Sequence, residues 1–177
     1  MSMLKDALES GKFGVTAEMA PPKGYDFTEQ MEAAELLNGK VHGVNVTDMQ
    51  SASLKATGLG LCIKLKQAGV EPILQMTGRD RNRMALMGDA LAAAAFGIDT
   101  MLALTGDHPV VGDCKDAKPV YDLDSVGILR CCPRWKRPAW IAAAMRSPAA
   151  LPSSTRALPL LPSMSLSSCR SISSARR

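Results

Sequence analysis

Four short strand-like runs recur at nearly even spacing through the first 130 residues, and this repeat restricts the possible folds more than any other feature. The runs cover residues 13–18, 43–47, 70–77 and 100–105, so their starts lie 27–30 residues apart. The segments between them carry apolar residues at helical spacing. Regular alternation of strands and helices is typical of an α/β protein with a parallel sheet.

The three connecting segments are predicted to be amphipathic helices. Their expected N-caps are Thr28, then Ser51 or Ser53, then Asp80. Gly69 and Gly97 follow the second and third helices, where a left-handed residue commonly ends a helix. The expected core faces are Phe27, Met31, Ala34 and Leu36 or Leu37; Leu54, Leu61, Leu65 and Ala68; and Met84, Met87, Leu91 and Ala94 or Ala95.

Two architectures share this alternation, the doubly wound sheet and the (β/α)8 TIM-type barrel. A dinucleotide-binding doubly wound sheet needs a GxGxxG turn after its first strand, whereas this first strand runs into residues 19–22 (MAPP). Polar residues instead recur at the carboxyl end of every strand, which is where a barrel builds its site. They are Glu18, Thr47 and Asp48, Gln75 and Thr77, and Thr105 with Asp107. We therefore predict a TIM-type barrel truncated to about four βα units, forming a partial domain at residues 1–130.

Composition changes abruptly after that domain. Residues 1–130 carry 13 basic and all 17 acidic side chains, whereas residues 131–177 carry 8 basic and no acidic ones. The last stretch is rich in Ser, Pro and Arg and contains no glycine. We predict that residues 131–177 form an irregular, disordered tail. It is either a genuine extension or, as we prefer, the product of a frameshift near codon 130, whose other frame encodes the missing strands.

Several classes of protein are excluded by pattern. No apolar run approaches the roughly 18 residues that span a bilayer, and the first residues lack the pattern of a signal peptide. We therefore expect a cytoplasmic protein without membrane contact. The cysteines form neither a disulfide framework nor a zinc motif. Nucleic-acid binding through the basic tail ranks last, because no folded module surrounds the basic residues.

Two carboxylates at strand ends are the candidate catalytic groups. Glu18 lies in an apolar stretch that is expected to raise its pKa and make it a proton donor, the alternative being a solvated strand end. Asp107 either orients a hydrogen-bonding ring or closes an Asx turn.

The arginines of residues 77–83 predict either an anion site at a helix start or local ion pairs. Groups suited to a polyol or phosphate follow the second strand: Thr47, Asp48 and Gln50.

Five stretches share their order and spacing with a known family. They are residues 16–22 (TAEMAPP), 42–48 (HGVNVTD), 71–77 (EPILQMT), 101–109 (MLALTGDHP) and 118–124 (KPVYDLD). Together they resemble methylenetetrahydrofolate reductase, the flavin enzyme of one-carbon metabolism, over roughly residues 10–130. The resemblance implies a barrel that binds FAD, accepts hydride from NAD(P)H and reduces 5,10-methylenetetrahydrofolate to 5-methyltetrahydrofolate.

The resemblance also implies roles for individual residues. Glu18 matches the acid that promotes opening of the folate's five-membered ring to an iminium, and Asp107 matches an aspartate that tunes flavin and folate. Flavin-contacting positions are matched by Thr47, Asp48, Gln50, Gln75, Thr105, Gly106, Asp107, Tyr121 and Asp122. Gln75 stands where many members have histidine, and Thr105 where arginine is common. These differences indicate a divergent subgroup and leave the electron donor open between NAD(P)H and another reductant.

Truncation raises a second hypothesis. A half barrel has unpaired strand edges and lacks the contacts of strands five to eight. We therefore expect weak or no FAD binding, and poor solubility, for the chain alone. The alternative to an active reductase is an inactive remnant, or a non-catalytic subunit completed by another polypeptide. Besides the folate substrate, a second copy or an electron-transfer protein is a possible partner.

Overall fold

The computed structural model describes residues 2–131, together with the backbone of two short strands at 139–141 and 157–159. The chain begins with helix α1 (Met3–Glu9) and strand β1 (Thr16–Met19). Then come α2 (Thr28–Leu37), β2 (Gly43–Val46), α3 (Gly58–Gln67), β3 (Pro72–Thr77), α4 (Arg83–Ala95), β4 (Thr100–Leu104) and α5 (Ser125–Cys131). Strands β5 (Ala139–Ile141) and β6 (Ala157–Pro159) follow.

All six strands belong to one sheet, in the order β1 to β6. Strands β1 to β5 are parallel, and β6 runs antiparallel to β5. Consecutive parallel strands therefore lie side by side, with helices between the first four. A doubly wound sheet would reverse its strand order, and the described strands show no reversal. The predicted α/β class and the four predicted strands are confirmed.

The two faces of the sheet differ in polarity, because successive side chains of a strand point to opposite sides. The face toward the helices is apolar and includes Val44, Val46, Leu74, Met76, Met101 and Ala103. The opposite face carries Asn45 and Gln75. Its amino end is covered by α1, which was not among the predicted helices. There Leu4 packs with Ile73 and Leu102, and the Ser2 and Thr100 hydroxyls lie 3.2 Å apart in a hydrogen bond.

The connecting helices begin elsewhere than predicted. Helix α2 has Phe27 rather than Thr28 at its N-cap. Helix α3 starts after Thr57, not after Ser51 or Ser53, because residues 50–52 form a short 3-10 turn. Helix α4 is capped by Asn82, whose side chain accepts a hydrogen bond from the Ala85 amide, and not by Asp80. Asp80 is instead paired with Arg79.

The face that α4 buries is also different from the predicted one. Leu86 and Ala93 are buried, whereas Met84 and Leu91 are largely exposed. Leu36 and Leu54 are exposed as well, so they are not core residues of the first two connections. The predicted helix ends are correct: Gly69 and Gly97 both have positive φ, at 79° and 72°.

The predicted tail at residues 131–177 falls mostly outside the described residues. Within it the structure places the end of α5 and the short strands β5 and β6, with Leu102 of β4 in register with Ile141. The disorder of the tail and its origin in a frameshift stay predictions. No helix in the described part of the chain is long and apolar enough to cross a membrane.

Candidate functional site

An open cavity of about 620 Å³ lies at the carboxyl ends of the first four strands. This volume is within the usual range for sites that hold an organic ligand. Eight of the ten predicted site residues line it: Glu18, Thr47, Asp48, Gln50, Gln75, Thr105, Gly106 and Asp107. Asn45, Met49, Ser51, Thr77 and Arg79 contribute further lining. The fold thus gathers residues that are almost 90 positions apart in sequence.

Two carboxylates at the cavity have no hydrogen-bonding or ionic partner among the described residues. The Glu18 side chain is exposed and, among the described residues, makes no hydrogen bond or ion pair. The burial that the sequence suggested for it is not provided by the four strands. Asp107 is also exposed, and its carboxylate has no partner in the same part of the chain. Both groups are therefore available to a ligand.

Asp48 is held differently from these two. It is 3 % exposed, and one of its oxygens accepts hydrogen bonds from the Thr77 amide at 2.8 Å and the Thr77 hydroxyl at 3.0 Å. Arg81 donates to both carboxylate oxygens at 2.8 Å. Asp48 lines the cavity, but its oxygens are engaged within the protein. It fixes the end of β2 against β3.

Arg79 is 2 % exposed and connects three strand-end loops. Its guanidinium donates to both oxygens of Asp80 at 2.7 Å. It also donates to the backbone carbonyls of Met49 at 3.1 Å and Asp107 at 3.3 Å. The hydrogen bonds to Asp80 raise the pKa of the guanidinium, which stays charged. For the arginines of residues 77–83, the two alternatives were an anion site and local ion pairs. The structure shows local ion pairs.

The loop after β2 has an unusual backbone. Met49, Ser51 and Ala52 all have positive φ, at 46°, 55° and 53°. Such conformations cost energy for residues with a side chain and occur often at functional sites. The Leu54 amide donates to Asp113 at 2.7 Å, which fixes the end of this loop to the loop after β4. Gln50 and Ser51 consequently line the cavity on a loop whose end is fixed by this hydrogen bond.

Two polar atoms, one in strand β2 and one directly after it, have no partners among the described residues. Thr47 Oγ1 and Asn45 Oδ1 are buried and have no hydrogen bond within the described residues. Thr47 was predicted as a site residue, whereas Asn45 was missed. The available signal was its position two residues before Thr47, because residues two apart in extended backbone point to the same side.

Tyr121 and Asp122 do not line the cavity. The Tyr121 hydroxyl donates to the Gly106 carbonyl at 3.2 Å, and so supports the loop after β4. Asp122 accepts hydrogen bonds from the Arg83 amide at 2.9 Å and from its guanidinium at 3.0 and 2.9 Å. These hydrogen bonds lower the pKa of Asp122. The contact of Tyr121 and Asp122 with a flavin stays a prediction.

A family model described as methylenetetrahydrofolate reductase matches residues 3–131, which is more than two thirds of the chain. The chain belongs to the methylenetetrahydrofolate reductase family. The suspected resemblance is therefore confirmed. A search among curated proteins found no match.

Methylenetetrahydrofolate reductases have the TIM-barrel fold, and the four described βα units correspond to its amino-terminal part. The family processes folates and is generally flavin-dependent. TIM-barrel enzymes carry their sites at the carboxyl ends of the strands. The cavity described above is at that position, which makes it the candidate site of this methylenetetrahydrofolate reductase homologue.

Proposed function

We propose that the chain carries part of a flavin-dependent site that reduces 5,10-methylenetetrahydrofolate to 5-methyltetrahydrofolate. The observation that supports this most directly is the convergence of Glu18 and Asp107, both without partners, at one cavity in a chain of this family. The electron donor that we propose is a reduced nicotinamide.

The cavity has features that fit a flavin. The unpartnered Thr47 hydroxyl is buried beside it, and Gly106 brings bare backbone to its wall. Side chains that would hold the cofactor are Thr47, Gln50, Gln75 and Thr105. A bound FAD would supply the acceptance and delivery of hydride. The family's folate chemistry also requires a proton at a ring nitrogen of the substrate.

Glu18 is the group that we assign to this proton. A carboxyl group contributes acid catalysis only if it can reach the reacting atom, so an unpaired carboxylate facing the cavity suits the role. Asp48 is unsuited, since it is saturated by Thr77 and Arg81. Asp107 lies across the cavity on the loop after β4, where we propose that it orients the folate and the flavin ring.

The test is Glu18→Gln, measured in two half-reactions at saturating FAD. Reduction of the flavin by NADH should be unchanged, because no proton from Glu18 is needed. Reduction of the folate should fall about 100-fold or more, the usual contribution of a general acid. Glu29→Gln, an exposed glutamate on α2 away from the cavity, is the matched control. An intact folate half-reaction in Glu18→Gln would show that the acid is wrongly assigned.

A second candidate is a subunit that another polypeptide completes, or an inactive remnant. The outer edge of β1 has no strand beside it among the described residues, and Glu18 at that edge is exposed. We propose that the chain alone binds FAD weakly, because only part of the barrel contacts are present. FAD absorbance of the purified chain, alone and co-expressed with a polypeptide carrying strands five to eight, separates these cases. No flavin in either sample would favour a remnant.

A further inference from the structure

The turn between α2 and β2 places an asparagine directly before a glycine at the surface. Asn38 has φ −57° and ψ 128°, and Gly39 has φ 71°. The Lys40 amide donates a hydrogen bond to the Leu37 carbonyl at 3.0 Å. This combination is a type II turn, which requires a positive φ at its third residue and therefore favours glycine there. The fold thus accounts for the glycine that follows Asn38.

Neither residue of this pair is engaged by the rest of the described chain. Both are exposed. Within the described residues, the Gly39 amide has no hydrogen-bond acceptor and the Asn38 side chain has no hydrogen-bond partner. A Cβ added to Gly39 would meet no atom within 4 Å. The Gly39 nitrogen is consequently open to a solvent base, and it is close enough along the covalent chain to close a five-membered ring with Cγ of Asn38.

We propose that Asn38 is a site of spontaneous covalent modification, in which the side-chain amide is lost as ammonia. The Gly39 nitrogen gives its proton to a solvent base and forms a bond with Cγ of Asn38. The Cγ–Nδ2 bond then breaks, protonated nitrogen leaves as ammonia, and a five-membered succinimide remains. One water molecule opens this ring at either carbonyl group and gives aspartate or isoaspartate. The conversion exchanges ammonia for water, so it needs no oxidant and no reductant.

The turn controls when this reaction occurs. At ψ 128° the Gly39 nitrogen is turned away from Cγ of Asn38, so the peptide between them has to rotate before the ring closes. Rotation breaks the hydrogen bond from Lys40 to Leu37, and a single backbone bond near the surface opens locally without global unfolding. A glycine follows such a rotation easily because it has no Cβ. The reaction is therefore slower than in an unfolded peptide, but it proceeds in the folded chain.

The other two asparagines of the chain are protected. Asn45 lies inside β2, precedes a β-branched residue and is paired with strands on both sides. Asn82 caps α4, where its side chain accepts a hydrogen bond from the Ala85 amide at 3.0 Å. The amide of the residue after Asn82 donates to Asp122 at 2.9 Å. Asn38 is therefore distinguished by its surroundings, and the inference does not depend on the proposed function.

Modification changes both the charge and the backbone at the end of α2. A carboxylate replaces a neutral amide at the carboxyl end of the helix, where negative charge is unfavourable. In isoaspartate the main chain also runs through Cβ, which adds one methylene group just before β2. The backbone there is fixed, because His42 donates its amide to the Val15 carbonyl at 2.7 Å and its Nδ1 accepts from the Val15 amide at 3.0 Å. We expect the modified chain to be less stable, with an unaltered cavity at the opposite ends of the strands.

The test is to incubate the purified chain in mildly alkaline buffer for several weeks and to follow the tryptic peptide of residues 24–40 by mass spectrometry. Asn38 should convert to aspartate and isoaspartate at least about tenfold faster than Asn45 and Asn82 convert. The incubated chain should also become more acidic and unfold at a lower temperature. Asn38→Gln is the matched control, because its longer side chain keeps the amide but disfavours ring closure. This variant should stay unmodified at position 38.

The isolated peptide of residues 24–40 provides the reference for the unfolded chain. If the peptide converts while Asn38 of the folded chain stays intact, the turn blocks the reaction and the inference is overturned. Formation of aspartate without isoaspartate would also overturn it, because no succinimide would then have formed. Equal conversion of all three asparagines would contradict the role of the exposed turn. None of these measurements uses FAD or a folate, so failure of the proposed function would leave this inference intact.

Discussion

At the scale of residues, the acidic side chains around the cavity differ in what they contact. Asp48 and Asp80 are engaged by arginines, whereas Glu18 and Asp107 have no partner among the described residues. Sequence patterns placed Glu18, Asp48 and Asp107 at strand ends correctly, whereas Asp80 was predicted to be a helix N-cap. They could not separate the two groups, because Arg81, which engages Asp48, is 33 positions away. Whether a carboxylate is paired depends on which side chains the fold brings next to it.

The buried pair of Asp48 and Arg81 leads to a stability prediction. Arg81→Met leaves the Asp48 carboxylate, 1 % exposed, without its charged partner. We expect the free energy of unfolding to fall by about 3–5 kcal/mol, the usual result of removing one member of a buried pair. Urea denaturation measures it.

Two further variants make this prediction specific. Asp48→Asn combined with Arg81→Met should recover part of the loss, because no buried carboxylate is then left unpaired. The other partner of Arg81, Asp89, is 38 % exposed and stays solvated. Lys5→Met breaks the more exposed pair of Lys5 and Glu9, and should cost about 0.5 kcal/mol or less. Equal losses for Lys5→Met and Arg81→Met would contradict the argument.

At the scale of elements, the strands were predictable and the helix faces were not. Short apolar runs at even spacing specified each of the four strands to within a few residues. In α4 almost every position is apolar (RMALMGDALAAAA), so spacing alone does not favour one face. Which face is buried depends on the docking of α5, whose Ile128 belongs to the same core as Leu86. The position of the N-cap of α4 likewise depends on the pairing of Asp80 with Arg79.

Asp122 gives a pH prediction for the start of α4. Its hydrogen bonds from Arg83, the first residue of the helix, lower its pKa in the folded state. A lowered folded-state pKa stabilises the protein above the unfolded value, roughly pH 4, and the gain is lost as the pH falls through the folded value. Asp122→Asn should therefore cost about 1 kcal/mol at pH 7. Urea titrations at several pH values should show this difference shrinking below roughly pH 4.

Gly112 gives a prediction for the contact between two loops. A Cβ at this position would overlap the carbonyl oxygen and carbon of Ala52, so Gly112→Ala should separate the loop after β4 from the loop after β2. We expect faster amide hydrogen exchange in residues 49–56 and a loss of about 1–3 kcal/mol in stability. Gly88→Ala is the control, because open space surrounds that helical position. It should stabilise by about 0.5–1 kcal/mol, and a shared outcome for both variants would refute the steric explanation.

At the scale of the whole molecule, the order of parallel strands followed from sequence because each βα unit repeats the same pattern. What residues 131–177 add to the barrel could not be predicted, since their composition fits neither a strand nor a helix repeat. The loss of all acidic residues and glycines there instead leads to a prediction about the gene.

We expect the other reading frame downstream of codon 130 to encode four further βα units of the same family. Nucleotide sequencing of the locus measures this directly. A protein made by joining the two frames should then be soluble and yellow, because the outer edge of β1 would be paired and the cavity closed. The absence of any family-like open frame would contradict the expectation and favour a genuine extension.

The three loops joined by Arg79 cannot be exchanged one at a time. Its guanidinium holds carbonyls after β2 and β4 and the carboxylate after β3. A chimera that imports only the loop after β2 from another barrel would lose the Met49 carbonyl contact and loosen the segment that bears Asp107. Diversification of this site, in evolution or in the laboratory, would therefore have to replace the three loops as one cassette.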